Sequence, residues 1–303
     1  MVDSSAPART GLAFVLLLLL GANWGIAFSF AKFGRLDGIP PLGYVLWQYG
    51  GASVVLLAIC ALRRKYPPLS RRHVIYYLVA GLTGIVIPTV NVLYVVGNVP
   101  VGVLTLLVTL APLLTYGIAQ LVGVDRLDRR RVCGMLLGFA GALLIFAPRT
   151  SLPSPDMAPW VALGLVTPIF YAISNVYVGV ARPAGADSLA LGAGMALAAV
   201  FLLLPIVLAT GTFHPLTPPF SRGEIALLAH MVAAGLGMLV MFEVIRLAGV
   251  VFMSQVAYIV TLNGVFWGIY FFDEHHSGWI WAALVVILAG VALVTKPVSP
   301  RGG

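Results

Sequence analysis

The sequence predicts an all-α integral membrane protein of ten transmembrane helices arranged as two inverted five-helix repeats. Three observations predict it. Hydrophobic residues make up 60% of the 303 positions and charged residues 9%, with a mean hydropathy of +1.02, which leaves too little polar surface for a body in water. Apolar stretches of about 20 residues recur along the chain, each long enough to cross about 30 Å of hydrocarbon as a helix. The loop Gly123 to Arg131 carries four arginines, whereas its counterpart in the second half, Phe271 to Trp279, carries none. Lys and Arg in short loops mark the cytoplasmic side, so equivalent loops of opposite composition indicate two similar halves inserted in opposite orientations.

Runs bounded by charge, Pro or Gly clusters place the helices near 11–33, 42–62, 74–96, 101–122 and 132–147, then near 160–180, 189–210, 223–245, 250–271 and 279–296. The first follows Arg9, and its apolar run continues to about Phe33 without a clear small-residue cleavage site, so it reads as a retained helix and not a signal peptide. The fifth is the shortest of the first half. Tight breaks are expected at Gly97 to Pro100 and, at the matching place in the second half, at Leu247 to Val250. The domain reading is a cytoplasmic tail at 1–10, a first repeat at 11–147, an extracytoplasmic linker at 148–159, a second repeat at 160–296 and a cytoplasmic tail at 297–303.

The basic residues test this map. One side holds Arg9, Arg63, Arg64, Lys65, Arg71, Arg72, Arg126, Arg129, Arg130, Arg131, Arg182, Arg246, Lys296 and Arg301, which is 14, and the other holds Lys32, Arg35, Arg149 and Arg222, which is 4. Together they account for all 18, and the bias puts both termini in the cytoplasm of a cell with the protein in its inner (plasma) membrane. A shift of 149 positions aligns Val95-Val96 with Val244-Ile245, Val101 with Val250, Thr105 with Ser254, and Ala140-Gly141-Ala142 with Ala289-Gly290-Val291. Five helices per half is an odd number, so the second copy enters the membrane upside down. The net charge of +8 sits in these short loops, where topology accounts for it better than nucleic-acid binding does. Cys60 and Cys133 fall within or beside apolar spans and read as small buried hydrophobes, not as a disulfide or metal pair.

The Asn23-Trp24-Gly25 step, the Ala111-Pro112 pair, Asp125 after the fourth helix, the Gly134, Gly138, Gly141 face of the fifth, and Glu274 and Gly290 at matching positions of the second half carry a resemblance. The chain resembles the ten-helix branch of the drug/metabolite transporter superfamily, the EamA-type exporters, over about residues 11 to 296. Thr261 stands where that family usually has proline. In tone the chain is similar to the YddG-like exporters of aromatic and other neutral amino acids. The resemblance implies a central cavity lined by the third, fourth, eighth and ninth helices, around which the first, second, sixth and seventh move.

Polar side chains inside apolar spans are costly unless they pair or face water, so they are the first candidates for function. Trp24, Gln48, Asn91, Tyr94, Tyr171, Asn175, Gln255 and Tyr258 are the expected substrate-binding set, because amides suit the ends of a zwitterion and rings its apolar body. The competing reading is that such amides only bond across helices. Tyr44, Trp47, Trp279 and Trp281 read as an interfacial belt. Glu243 lies three residues before Arg246, within ion-pair reach on one helical face, either as a coupling site or as a salt bridge locking the eighth helix. His230 reads either as a group titrating near neutral pH or as a hydrogen-bonded filler. Lys32 is expected to snorkel to the interface, and the adjacent His275 and His276 on an exposed turn are a poor metal site. Gly25, Pro88, Pro112 and Pro168 are the hinge candidates, with Gly25 and Pro168 the preferred pair.

No metal-ligand pattern, phosphate-cradling loop or activated nucleophile supports catalysis, and no cofactor, metal or obligate protein partner is expected. The leading expectation is a secondary transporter that exports small neutral metabolites, amino acids foremost, across the lipid bilayer by alternating access through a central cavity. The alternatives are export of cationic drugs or another metabolite, and, in a different class, a lipid scramblase or non-transporting membrane partner.

Overall fold

A computed structural model describes residues 5–124, 128–146, 152, 154–253 and 256–295. Among them the chain makes ten helical passages: α1 Ser5–Leu36, α2 Pro41–Leu62, α3 Arg71–Val96, α4 Val101–Leu121, α5 Arg129–Phe146, α6 Pro155–Ala181, α7 Ser188–Ala209, α8 Arg222–Met253, α9 Val256–Phe272 and α10 Gly278–Thr295. Seven carry stretches long and apolar enough to cross a membrane outright, and α9 and α10 carry shorter apolar stretches. The remaining passage, α5, opens on Arg129, Arg130 and Arg131.

Three passages are broken, and proline explains each break. A proline at position i has no N–H for the carbonyl of i−4 and its ring crowds that carbonyl. The first piece of α4 ends at Val108, four residues before Pro112, and the first helical piece of α6 ends at Gly164, four before Pro168. In α3 a π-helical turn, Leu82–Val86, spans Gly84, four before Pro88. Thr261, at the place matching Pro112, keeps its N–H and donates its Oγ1 hydroxyl to the Ala257 carbonyl at 2.9 Å, and α9 runs through it unbroken. The expected break at Leu247 to Val250 is absent: α8 continues to Met253. A lone Gly249 is tolerated within a helix, whereas Pro100 forces the break in the first half.

The packing has the symmetry of two repeats. α1 packs on α8 as α6 packs on α3, α1 on α9 as α6 on α4, and α2 on α8 as α7 on α3. The remaining major pairs, α2 with α7, α4 with α9 and α5 with α10, map onto themselves when the halves are exchanged. With an odd number of passages per half, this exchange inverts one repeat against the other. At the α5/α10 seam a Cβ on Gly290 would lie 2.6 Å from the Gly134 carbonyl oxygen and 2.8 Å from the Gly138 nitrogen. The backbones touch there, the close approach small residues permit. Cys60 is buried, but Cys133 is exposed on α5 and not buried as expected.

Contacts between helix ends define two faces. The ends of α1 and α9 meet the starts of α2, α4 and α8 on one face, as Lys32, Tyr44, Val101 and Gly223 show below. The end of α2 and of α6 meet the starts of α3 and α7 on the other, which is also the face from which α1 departs and to which α10 returns, called here the terminal face.

Candidate functional site

A polar layer joins α2 and α8. Tyr44 and Gln48, one helical turn apart, both reach His230: the Tyr44 hydroxyl lies 3.0 Å from Nδ1 and the Gln48 Nε2 lies 3.1 Å from Nε2. With the Gln48 amide donating, Nε2 accepts and the ring proton sits on Nδ1 facing the Tyr44 oxygen, so the imidazole is neutral. Tyr44 is fully buried, packed where a Cβ on Gly34 would meet its ring, and is therefore not part of an interfacial belt. Its place in the first turn of α2 made it look like one. Trp47 is half-buried and donates its indole N–H to the carbonyl of His214, in the connection between α7 and α8, at 2.8 Å; Trp279 and Trp281 are half-exposed at the start of α10. Truncating His230 to Ala strands two buried partners, and we expect a loss of about 2 kcal/mol in stability, read as a lower midpoint of thermal unfolding in detergent.

A second polar cluster joins α2, α3 and α6 at the proline breaks. The Tyr49 hydroxyl lies 3.4 Å from the Thr89 hydroxyl, and Tyr171 stands beside both. Asn91 donates both amide hydrogens to α6, to the Leu163 carbonyl at 3.0 Å and the Thr167 hydroxyl at 2.9 Å, while Thr167 donates to the Pro88 carbonyl. Asn91 thus ties two broken helices together at their breaks. With Tyr94 it also borders an apolar cavity of about 310 Å³ between α3, α6 and α7. Asn175 is exposed toward the terminal end of α6 and donates to the Thr115 hydroxyl of α4 at 3.3 Å.

On the other side of the bundle, α1 meets α8 and α9 at glycines. A Cβ on Gly237 would lie 2.8 Å from the Trp24 indole nitrogen and 3.1 Å from the Asn23 Oδ1, so Gly237 lets α8 close on the Asn23-Trp24 step. Gly25 is packed against Asn263 and the Val260 carbonyl, and Gly264 of α9 against Thr105 of α4. α1 passes through Gly25 without a break, unlike the helices at Pro88, Pro112 and Pro168. The hydroxyls of Thr109 and Thr261 pair across the α4/α9 crossing.

The face opposite the termini carries a largely buried ion pair. Lys32 of α1 donates to Glu274 Oε1 at 2.7 Å, with the two side chains only 14% and 5% exposed. Glu274 also accepts the first backbone N–H groups of α4, Val101 at 2.6 Å and Gly102 at 3.1 Å, a carboxylate at a helix N-terminus where the dipole favours it. The Lys32 ammonium sits 4.5 Å over the Phe272 ring. Glu274 therefore joins three elements, the end of α1, the α9–α10 loop and the start of α4. Lys32 is paired and nearly buried, not snorkelling. His276 is buried beside Glu274 Oε2 at 3.7 Å, unlike exposed His275; burial pushes its pKa below the usual histidine value, against the pull of Glu274. On the same face Asp37 accepts the Gly223 N–H at 2.6 Å, fastening α1 to the start of α8, and Arg222 lies 4.0 Å over Phe33.

The terminal face carries a looser tie. Lys65 after α2 meets Asp187 before α7 at 2.7 Å, with side chains 56% and 34% exposed. The Lys65 hydrogen bond, with the capped Leu189 and Ala190 N–H groups, holds the Asp187 carboxyl below the usual carboxylate range. Its small contribution is present above the ordinary carboxylate value and is lost as pH falls through the depressed folded value. Lys65→Ala is expected to cost no more than about 0.5 kcal/mol, and less in high salt, with no change between pH 6 and 8, read by thermal unfolding. Glu243 is half-buried on α8 and partnered. Gln255 and the side chains of Arg246 and Tyr258 lie outside the described residues.

A family model described as the EamA-like transporter family matches residues 11–147 and again residues 158–296. The chain belongs to the EamA-like transporter family. The transporter is thus a multi-span membrane protein of a family that moves small substrates, which fits a protein without enzymatic chemistry. It is similar to YyaM, an uncharacterized transporter of Bacillus subtilis (strain 168), at 29% identity over 136 residues, 44% of this chain and 43% of that protein. The match spans less than half the length of that relative. A solved structure described only as the crystal structure of a protein matches the transporter with a TM-score of 0.61, at 18% identity, over 96% of this chain and 98% of that chain, a likeness of fold alone.

Sequence reasoning singled out Gln48, Asn91, Tyr171, His230 and Trp24 within this frame, but it missed the Lys32 to Glu274 pair. The one available signal was that Lys32, an ammonium inside an apolar run, faces an acid at an otherwise arginine-free loop of the same side.

Proposed function

We propose that the transporter exports small neutral metabolites, foremost amino acids including aromatic ones, by alternating exposure of a site between the two repeats. The observation that carries this reading is the contrast between the faces: a buried carboxylate with three hydrogen-bonding partners ties one, and a solvent-exposed ion pair ties the other. A carrier that opens one face at a time needs such a difference in each of its states. The 14 to 4 split of basic residues supports a cytoplasmic terminal face in the inner membrane, so the face with the buried pair is the outer one.

The polar groups beneath that pair are amides, hydroxyls and aromatic rings, chiefly Gln48, Tyr49, Thr89 and Tyr171, with Trp24 and Asn23 across the bundle. Such groups suit a net-neutral zwitterion better than a permanent cation, which would want a deep carboxylate. Pro88, Pro112 and Pro168, where the ladders are already interrupted, are the proposed hinges. Gly25 serves as a close contact between α1 and α9 in this state. A panel of labelled amino acids and cationic dyes offered to purified protein in liposomes tests the reading. Uptake of neutral amino acids, reduced by Gln48→Ala and Tyr171→Ala, supports it; dye uptake with no amino-acid flux refutes the substrate class. The same flux with and without a pH gradient would show that transport runs without proton coupling.

A further inference from the structure

We infer that the terminal-face ends of α3 and α6 form a binding site for an anionic phospholipid headgroup, separate from the solute path. A cavity of about 520 Å³ opens there, lined by Arg71, Arg72, Ile75, Tyr76, Tyr177 and Ala181. Arg71 and Arg72 occupy the first turn of α3, are exposed, and have no carboxylate partner in hydrogen-bond or ion-pair range among the described residues. Two arginines lining one cavity with no acid in that lining are matched by a phosphodiester, which can accept from their guanidinium groups.

The floor of the cavity is aromatic. The rings of Tyr76 and Tyr177 stack with centroids 5.8 Å apart and an interplanar angle of 25°, fixing α3 against α6, and Tyr76 is buried. Tyrosine at the headgroup level is where an amphipathic ring is stable in a bilayer. Ile75 of the lining is exposed, and beyond the lining the two helices continue with exposed apolar side chains, Leu78, Val79 and Leu82 on α3 and Ile173 and Val180 on α6. Charge at a helix end followed by an exposed apolar strip fits a molecule with a phosphate at one end and acyl chains at the other. A free anion would use only the first half of this surface. The lipid would sit on the α3–α6 seam, whose inner part holds the π turn of α3 and the break before Pro168, and would hold the two helices together there.

The test is a titration of full-length protein in zwitterionic detergent with dioctanoyl phosphatidylglycerol, dioctanoyl phosphatidylcholine and inorganic phosphate, read by native mass spectrometry. Wild type should bind the phosphatidylglycerol in preference to both others. Replacing both arginines, Arg71→Gln with Arg72→Gln, should weaken that binding roughly 30-fold, about 2 kcal/mol. Arg63→Gln with Arg64→Gln, an equal charge change in the same α2–α3 connection, should leave it within about twofold. Equal weakening in the two double variants, equal binding of inorganic phosphate, or no preference for phosphatidylglycerol in wild type would each overturn the proposal. The wild-type comparison stands by itself if the Arg71 and Arg72 variant fails to fold.

Discussion

Changing Glu274 to Gln is expected to open the face opposite the termini. The substitution keeps the size of the side chain but leaves Lys32, nearly buried, without its counter-charge and weakens the cap on Val101 and Gly102. Removing one partner of a buried ion pair costs about 3 to 5 kcal/mol. If most of that falls on the closed state, the equilibrium moves toward the open one by roughly 100- to 1,000-fold. Ser29 reports it: it lies on α1 just inside Lys32, is fully buried, and its hydroxyl has no hydrogen-bond partner among the described residues. In a background lacking Cys60 and Cys133, a cysteine replacing Ser29 should react with a membrane-impermeant maleimide far faster in the Glu274→Gln protein. Solute flux should fall, because a carrier biased to one face cycles slowly. Adding Lys32→Met should recover part of the closure, since the stranded ammonium is then gone. Unchanged labelling would mean that the pair only stabilises the fold.

The second large effect is expected at Gly290. A valine there places its Cβ within 3 Å of backbone atoms of both Gly134 and Gly138, and backbone cannot swing aside as a side-chain tip can. The seam between α5 and α10 must part, at a cost of about 3 kcal/mol or more. Purified Gly290→Val should show a sharply lower unfolding midpoint and a loss of monodispersity in detergent. Gly179→Ala, on an open helical face with nothing within 4 Å, is the control. It should be neutral or slightly stabilising, because alanine restricts the unfolded chain. A Gly290 variant as stable as the control would show that α5 and α10 do not meet through their backbones.

The helical passages were legible because hydrocarbon imposes a length and a loop charge on each, and both can be read from apolar runs and arginines. The broken passages were legible in part: proline acts on its own helix and the breaks fall four residues upstream of Pro88, Pro112 and Pro168, but Pro205, read from the sequence as a fourth interruption, lies inside an unbroken α7. The misplaced boundary between α8 and α9 shows where that reasoning ends. The repeat suggested a break near Gly249, but without a proline the ladder has no reason to stop there. Tyr44 and Lys32 failed for another reason. Both lie near helix ends, where amphipathic side chains ordinarily face the interface, and what turns them inward lies 186 and 242 positions away, at His230 and Glu274. No local pattern carries partners at that distance. Asn91 was legible as an amide that could bond across helices, but its partners were not, since its acceptors exist only where α6 is broken before Pro168.

The proposal that this transporter carries neutral amino acids by alternating access is tested most directly by counterflow in liposomes. Vesicles holding purified protein and a high concentration of unlabelled tryptophan or another neutral amino acid are diluted into a trace of the labelled compound. A carrier that exposes one site to each face in turn will accumulate label transiently above its equilibrium level, with no gradient of protons or other ions. The account predicts that overshoot, and its loss in Gln48→Ala. Folded, reconstituted protein that gives no overshoot with any amino acid, or label that only equilibrates as through a pore, would contradict it.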